Sequence, residues 1–126
     1  MKKLTWLLRI VGVIQIVLGL MYLFAPAFML SSMGHSAVAS DIHYPLAMLA
    51  SRFLAYGMAF IYISSDPVRH KLWAYVMVII QAIDLLAGIF YTATGVVSLE
   101  LSGFPMFNAT WIMVLLLLFV KEAEKR

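Results

Sequence analysis

Five side chains in this sequence have both the type and the setting to do chemistry: Arg52, Tyr56, Gln81, Asp84 and Tyr91. Arg52 and Asp84 are the two ionisable residues deep within long apolar stretches. A guanidinium presents N–H donors in a planar fork that suits an anion or a carbonyl, and a nearby carboxylate would hold that fork in place. Gln81, Tyr56 and Tyr91 would complete a ligand-binding pocket around the pair. The same residues also fit a structural role. One matched ion pair can fix helix register, and glutamine and tyrosine can hydrogen-bond between helices.

A second group, His35, Asp41 and His43, has the ligand types that zinc or copper takes. Its spacing matches no strong motif, and Glu100 would have to supply a fourth ligand from a separate segment. Solvated loop residues are the plainer reading. With no cysteine, thiolate metal sites, disulfides and a cysteine nucleophile are excluded. We find no phosphate-binding loop, no useful serine–histidine–acid spacing and no paired histidines within apolar stretches for haem, so no cofactor is expected. Asn108-Ala109-Thr110 matches the glycosylation triplet but falls inside an apolar stretch. The nine methionines read as adaptable packing.

The elements that position these residues follow from composition. Of the 126 residues, 64% are hydrophobic and 12% charged. The surface of a water-soluble domain cannot absorb that excess of apolar groups, whereas lipid accepts it. A spanning helix needs about 20 mainly apolar residues. Four such stretches are present, at residues 4–24, 45–64, 67–94 and 105–120. Asp66-Pro67 reads as a helix start and Gly95 as a helix stop. Ser102 precedes Pro105 as a further start signal. Residues 26–33 are apolar and suit a short helix along the membrane interface. Residues 2–24 resemble a signal peptide only in outline. The apolar stretch is as long as a full span and lacks a small-x-small cleavage site, so it is expected to be retained.

The expected fold is therefore an all-α membrane protein, a single domain forming an antiparallel bundle of four transmembrane helices. Lysine and arginine set its orientation. Lys2, Lys3 and Arg9 open the chain, Arg69 and Lys71 separate spans two and three, and Lys121, Lys125 and Arg126 close it. Residues 25–44 and 96–104 contain neither residue type. Both termini are thus expected on the cytoplasmic side. Trp6, Trp73 and Trp111 are expected near span ends, where indoles prefer the interface. The net charge of +3 is small and better explained by topology than by nucleic-acid binding.

The tight turn around Ser65 and Asp66 makes spans two and three an antiparallel hairpin. Arg52 and Asp84 lie sixteen residues to either side of residue 68. At about 1.5 Å rise per residue they reach similar depth, where a bidentate contact would offset desolvation. In span three, Met77, Gln81, Asp84, Gly88, Tyr91 and Gly95 form one stripe, as do Leu8, Gly12, Gln15, Gly19 and Tyr22 in span one. Ala47, Ser51, Ala55 and Ala59 form a small-residue ladder in span two, a pattern that permits close helix approach. Gln15, Gly19 and Tyr22 reappear as Asp84, Gly88 and Tyr91 at an offset of 69 residues, which Gly34 and Gly103 share. The chain can therefore be read as a duplicated helical hairpin.

Arg52-Phe-Leu-Ala-Tyr-Gly57, Asp66-Pro-Val-Arg-His-Lys-Leu-Trp73 and Gln81-Ala-Ile-Asp84-Leu-Leu-Ala-Gly88 together resemble the BphX-like family of small bacterial four-helix membrane proteins, with DoxX-like proteins a more distant relation. The resemblance implies a multi-pass protein of the bacterial inner membrane, sometimes associated with aromatic-compound metabolism, and transfers no catalytic residue. The function expected is non-enzymatic: binding of a small lipophilic or anionic ligand, or service as an accessory subunit of a larger membrane complex. A small transporter or proton-coupled carrier acting as a homodimer is the second reading. A membrane enzyme with an outer-face metal site is the third.

Overall fold

A computed structural model describes residues 2–35 and 40–125. Arg126, counted among the closing cations, lies outside the described residues. Among those residues the fold is all-α: α1 Lys2–Phe24, α2 Pro26–Ser32, a 3-10 turn Ser40–Ile42, α3 His43–Ile63, α4 Lys71–Ala93 and α5 Leu99–Glu124. α1, α4 and α5, and α3 together with the turn before it, are each long and apolar enough to cross a membrane. They correspond to the four expected spans. α2 is the short helix expected after span one, opened by Pro26, whose missing N–H costs nothing at a first helical position.

Two helix boundaries differ from expectation. Asp66-Pro67 does not open α4. Pro67 is buried in a run of turns held by hydrogen bonds from Lys71 N–H to the Val68 carbonyl and from Trp73 N–H to the His70 carbonyl. Seven residues separate Ile63 from Lys71, and the proline serves the turn between the helices. Pro105 does not open α5 either. The helix starts at Leu99, and Ser98 caps it by accepting the Leu101 N–H at 3.3 Å. Pro105 sits in the second turn, where its ring forgoes one hydrogen bond without ending the helix. With the earlier start, Trp111 falls mid-helix rather than near an end. Its Nε1 donates to Asn108 Oδ1 at 3.1 Å, which also occupies the asparagine of the glycosylation triplet.

Gly95 ends α4 as expected. Its φ of +80° suits a residue without Cβ. Val96 N–H bonds the Tyr91 carbonyl and Gly95 N–H the Thr92 carbonyl, the paired closure of a Schellman motif. Gly34 closes α2 in the same way, with φ +89°. Gly103 lies inside α5, so the 69-residue offset does not give these two glycines a common structural role.

The chain forms two compact units, Leu8–Ser64 and Met1–Leu7 with Ser65–Arg126. In the first, α1 and α3 pack antiparallel. Gly12 lies against Gly57, and Gly19 against Leu54 and Ala50. Arg9 Nε donates to Ser64 Oγ at 3.2 Å, and Tyr22 stacks on Phe53 with ring centroids 5.8 Å apart. Leu8, Val11, Gly12, Gln15, Gly19, Ala50, Gly57, Phe60 and Ile63 are buried. The expected span-one stripe is therefore buried from Leu8 through Gly19, and Tyr22 is half-buried. The span-two ladder behaves differently. Ser51 and Ala55 are exposed, and the surface that meets α1 is built on Ala50, Leu54 and Gly57 instead.

In the second unit, α4 and α5 pack antiparallel. Tyr75 Oη donates to Glu124 at 2.8 Å near one end of the pair. Gly88 meets Met106 further along, and the Thr92 and Ser102 hydroxyls lie 2.6 Å apart near the other end. Lys3 and Glu122 are 3.8 Å apart, and Lys71 and Glu124 3.5 Å. These ion pairs draw the beginning of α1, the start of α4 and the end of α5 to one end of the unit. The span-three stripe divides: Met77 and Gln81 are buried, Gly88 is half-buried, and Asp84, Tyr91 and Gly95 are exposed.

Candidate functional site

Arg52 lies nine residues into the 21-residue α3, about 14 Å along the axis at helical rise. Residues unbranched at Cβ, such as Leu46, Leu49, Leu54 and Ala55, keep this stretch helical through the charged position. Arg52 is exposed. Its Nη1 turns back to donate to the Met48 carbonyl at 2.8 Å, an acceptor it shares with Ser51 Oγ at 2.7 Å. One of five guanidinium N–H groups is thus used locally. Tyr56, one turn further on, is half-buried and sets its ring edge against buried Phe60 at 6.5 Å.

Asp84 lies thirteen residues into the 23-residue α4, again near the middle of an apolar helix, and is exposed. Gln81, one turn earlier, is buried, and its Nε2 donates to Met77 Sδ at 3.1 Å. Tyr91 is exposed and lies edge-on to Phe90 at 5.2 Å. The five candidates thus fall into two subsets. Arg52 and Tyr56 share α3 in one unit, and Gln81, Asp84 and Tyr91 share α4 in the other.

His35 follows α2, Asp41 lies within the 3-10 turn and His43 is the first residue of α3. Among the described residues no grouping of three or more histidine, aspartate or glutamate side chains is placed to hold a metal ion.

Sequence reasoning missed the polar contacts between elements, the Tyr75, Lys71 and Lys3 links to Glu124 and Glu122 included. Arg9 reaches Ser64, whose own Oγ donates to the Ile61 carbonyl at 2.7 Å. Thr92 meets Ser102, which also bonds the Ser98 carbonyl at 3.1 Å. Each residue has an ordinary local explanation, and only the register between helices shows that they meet. Comparison of the chain with family models, with curated proteins and with solved structures returned no match.

Proposed function

We propose that this chain is a multi-pass protein of a bacterial inner membrane, with both ends cytoplasmic. In this reading it binds a small lipophilic or anionic ligand, or seats against a partner subunit, through Arg52 and Asp84 with Gln81, Tyr56 and Tyr91. One observation carries the reading: a guanidinium and a carboxylate are each exposed near the middle of a long apolar helix. Facing lipid there costs roughly 2.5–3.5 kcal/mol per charge. A ligand anion or carbonyl, a partner helix, or each other's charge would relieve that cost. The ion pair expected between them would leave the guanidinium oriented for a ligand. The lysine and arginine distribution supports the cytoplasmic assignment, and the likeness to BphX-like proteins supports the bacterial one.

Extraction in mild detergent, followed by mass spectrometry of retained small molecules and proteins, tests this reading. The chain should retain a molecule or subunit that Arg52→Gln releases at unchanged helix content. The exchange Arg52→Asp with Asp84→Arg should restore folding without restoring retention. If nothing is retained, or if the exchanged chain retains it fully, the pair is structural.

A further inference from the structure

Lys2, Lys3, Arg69, Lys71, Lys121 and Lys125 all belong to the unit of Met1–Leu7 and Ser65–Arg126. Lys3 to Glu122, Lys71 to Glu124 and Tyr75 to Glu124 tie its three segments together at one end. The acidic groups there, Asp66, Glu122 and Glu124, number three against those six cations, so net positive charge remains. Lys3 and Lys71 are engaged by carboxylates. Lys2, Arg69, Lys121 and Lys125 are exposed and make no ion pair among the described residues. Trp6 and Trp73 lie close by in sequence, one turn in from Lys2 and two residues past Lys71, and are 60% and 44% exposed. Exposed indoles at helix ends mark the depth of the headgroups. A group of free cations is thus bordered, on the side of the apolar helices, by interfacial tryptophans.

We infer that this end of the unit binds the phosphate headgroups of anionic phospholipids. Arg69, in the turn before α4, provides a guanidinium fork for phosphate oxygens. Lys2, Lys121 and Lys125 act as point charges around it, and acyl chains run past Trp6 and Trp73. A zwitterionic headgroup carries its own cation and gains no net attraction from the surplus positive charge. The interaction weakens with salt as screening shortens. None of these residues belongs to the Arg52 and Asp84 reading, so either can fail without the other.

The test uses the full chain in uncharged detergent, titrated with short-chain phosphatidylglycerol, short-chain phosphatidylcholine or inorganic phosphate. Trp111→Phe leaves Trp6 and Trp73 as the fluorescent reporters. Phosphatidylglycerol should give a saturable emission change and a higher Tm, and phosphatidylcholine neither. The combined variant Lys2→Gln, Arg69→Gln, Lys121→Gln and Lys125→Gln should bind more weakly by roughly fivefold per cation, the equivalent of about 1 kcal/mol each. If that variant does not fold, the single changes Arg69→Gln and Lys125→Gln should each show their own loss. Arg69→Lys, which keeps charge but not the fork, should fall between wild type and Arg69→Gln. Equal responses to the two lipids, or undiminished binding in the folded glutamine variants, would overturn the inference. So would inorganic phosphate reproducing the phosphatidylglycerol response, which would mark a site for free phosphate.

Discussion

In the α1–α3 pair, a β-carbon added to Gly57 would stand 2.5 Å from Ile16 Cγ1, 2.7 Å from the Gly12 carbonyl oxygen and 3.0 Å from the Ile16 amide nitrogen. In the α4–α5 pair, one added to Gly88 would meet only Met106, at 2.5 Å from Cγ and 2.9 Å from Sδ. Both glycines are helical and both face a neighbouring helix. At Gly57 the obstacle is mainly backbone, which can yield only if the helices separate. At Gly88 it is a thioether side chain with three rotatable bonds. Glycine in a membrane helix is commonly read as a point of close approach. These two pairs show that what meets the glycine decides whether that reading holds.

The largest predicted effect tests the first half of this contrast. Gly57→Leu cannot be accommodated without parting α1 from α3, and it should destabilise the chain by more than about 3 kcal/mol in reversible unfolding in micelles. Gly57→Ala and Gly12→Ala should each cost about 1–3 kcal/mol, because a β-carbon on Gly12 would lie 2.9 Å from the Gly57 carbonyl oxygen. A Gly57→Ala chain as stable as wild type would refute the backbone contact. Gly88→Ala should change stability by less than about 1 kcal/mol. Met106 can swing aside, and alanine gains about 0.5–1 kcal/mol over glycine in a helix interior. A loss at Gly88 equal to that at Gly57 would erase the distinction between the pairs.

Much of this architecture was legible in the sequence, for definite reasons. Span number and approximate extent follow from apolar length, which lipid imposes directly. Gly95 was readable as a stop because a positive φ favours glycine. The span-one stripe was readable because helical periodicity marks its buried face. The same reasoning went astray at Pro67 and Pro105. A proline is compatible with a helix start, a turn or the second turn of a helix, and only its surroundings choose. It went astray again at the α3 ladder. Four small residues at intervals of four define a face, but not which neighbour, if any, that face meets. The candidate site was legible as residue types, since charges amid apolar sequence stand out. Arg52's bond to the Met48 carbonyl was not, because it depends on a rotamer rather than on spacing.

The α4–α5 pair also carries a polar link whose energetic weight can be compared with the glycine contact. The network closes if Thr92 donates its hydroxyl to Ser102 Oγ and Ser102 donates to the Ser98 carbonyl. Ser102 is buried at 5% exposure, so Ser102→Ala removes both bonds and leaves the Thr92 hydroxyl to find another acceptor. Bonds between membrane helices contribute about 0.6–1.7 kcal/mol, and Ser102→Ala should fall in that range. Thr92→Val should cost less, because Ser102 keeps its bond to Ser98. A double-mutant cycle separates the shared bond from the rest.

The smallest expected effect lies at the other end of the same unit. Lys3 and Glu122 are 3.8 Å apart, with side chains 69% and 42% exposed. Water and salt screen such a pair, and ordering two flexible side chains opposes it, so exposed pairs contribute between nothing and about 1 kcal/mol. Glu122→Gln should therefore shift stability by less than about 1 kcal/mol, with the shift fading as salt rises. Glu124 offers the sharper measurement, since it accepts the Tyr75 hydroxyl at 2.8 Å while lying 3.5 Å from Lys71. Glu124→Gln weakens the charge attraction but keeps an oxygen for Tyr75, whereas Tyr75→Phe removes the hydrogen bond and keeps the charges. If Glu124→Gln loses more stability than Tyr75→Phe at low salt and the order reverses at high salt, charge attraction holds that end together in dilute buffer. If the order stays fixed with Tyr75→Phe the larger loss, the hydrogen bond between α4 and α5 does the joining, and the lysine is incidental to it.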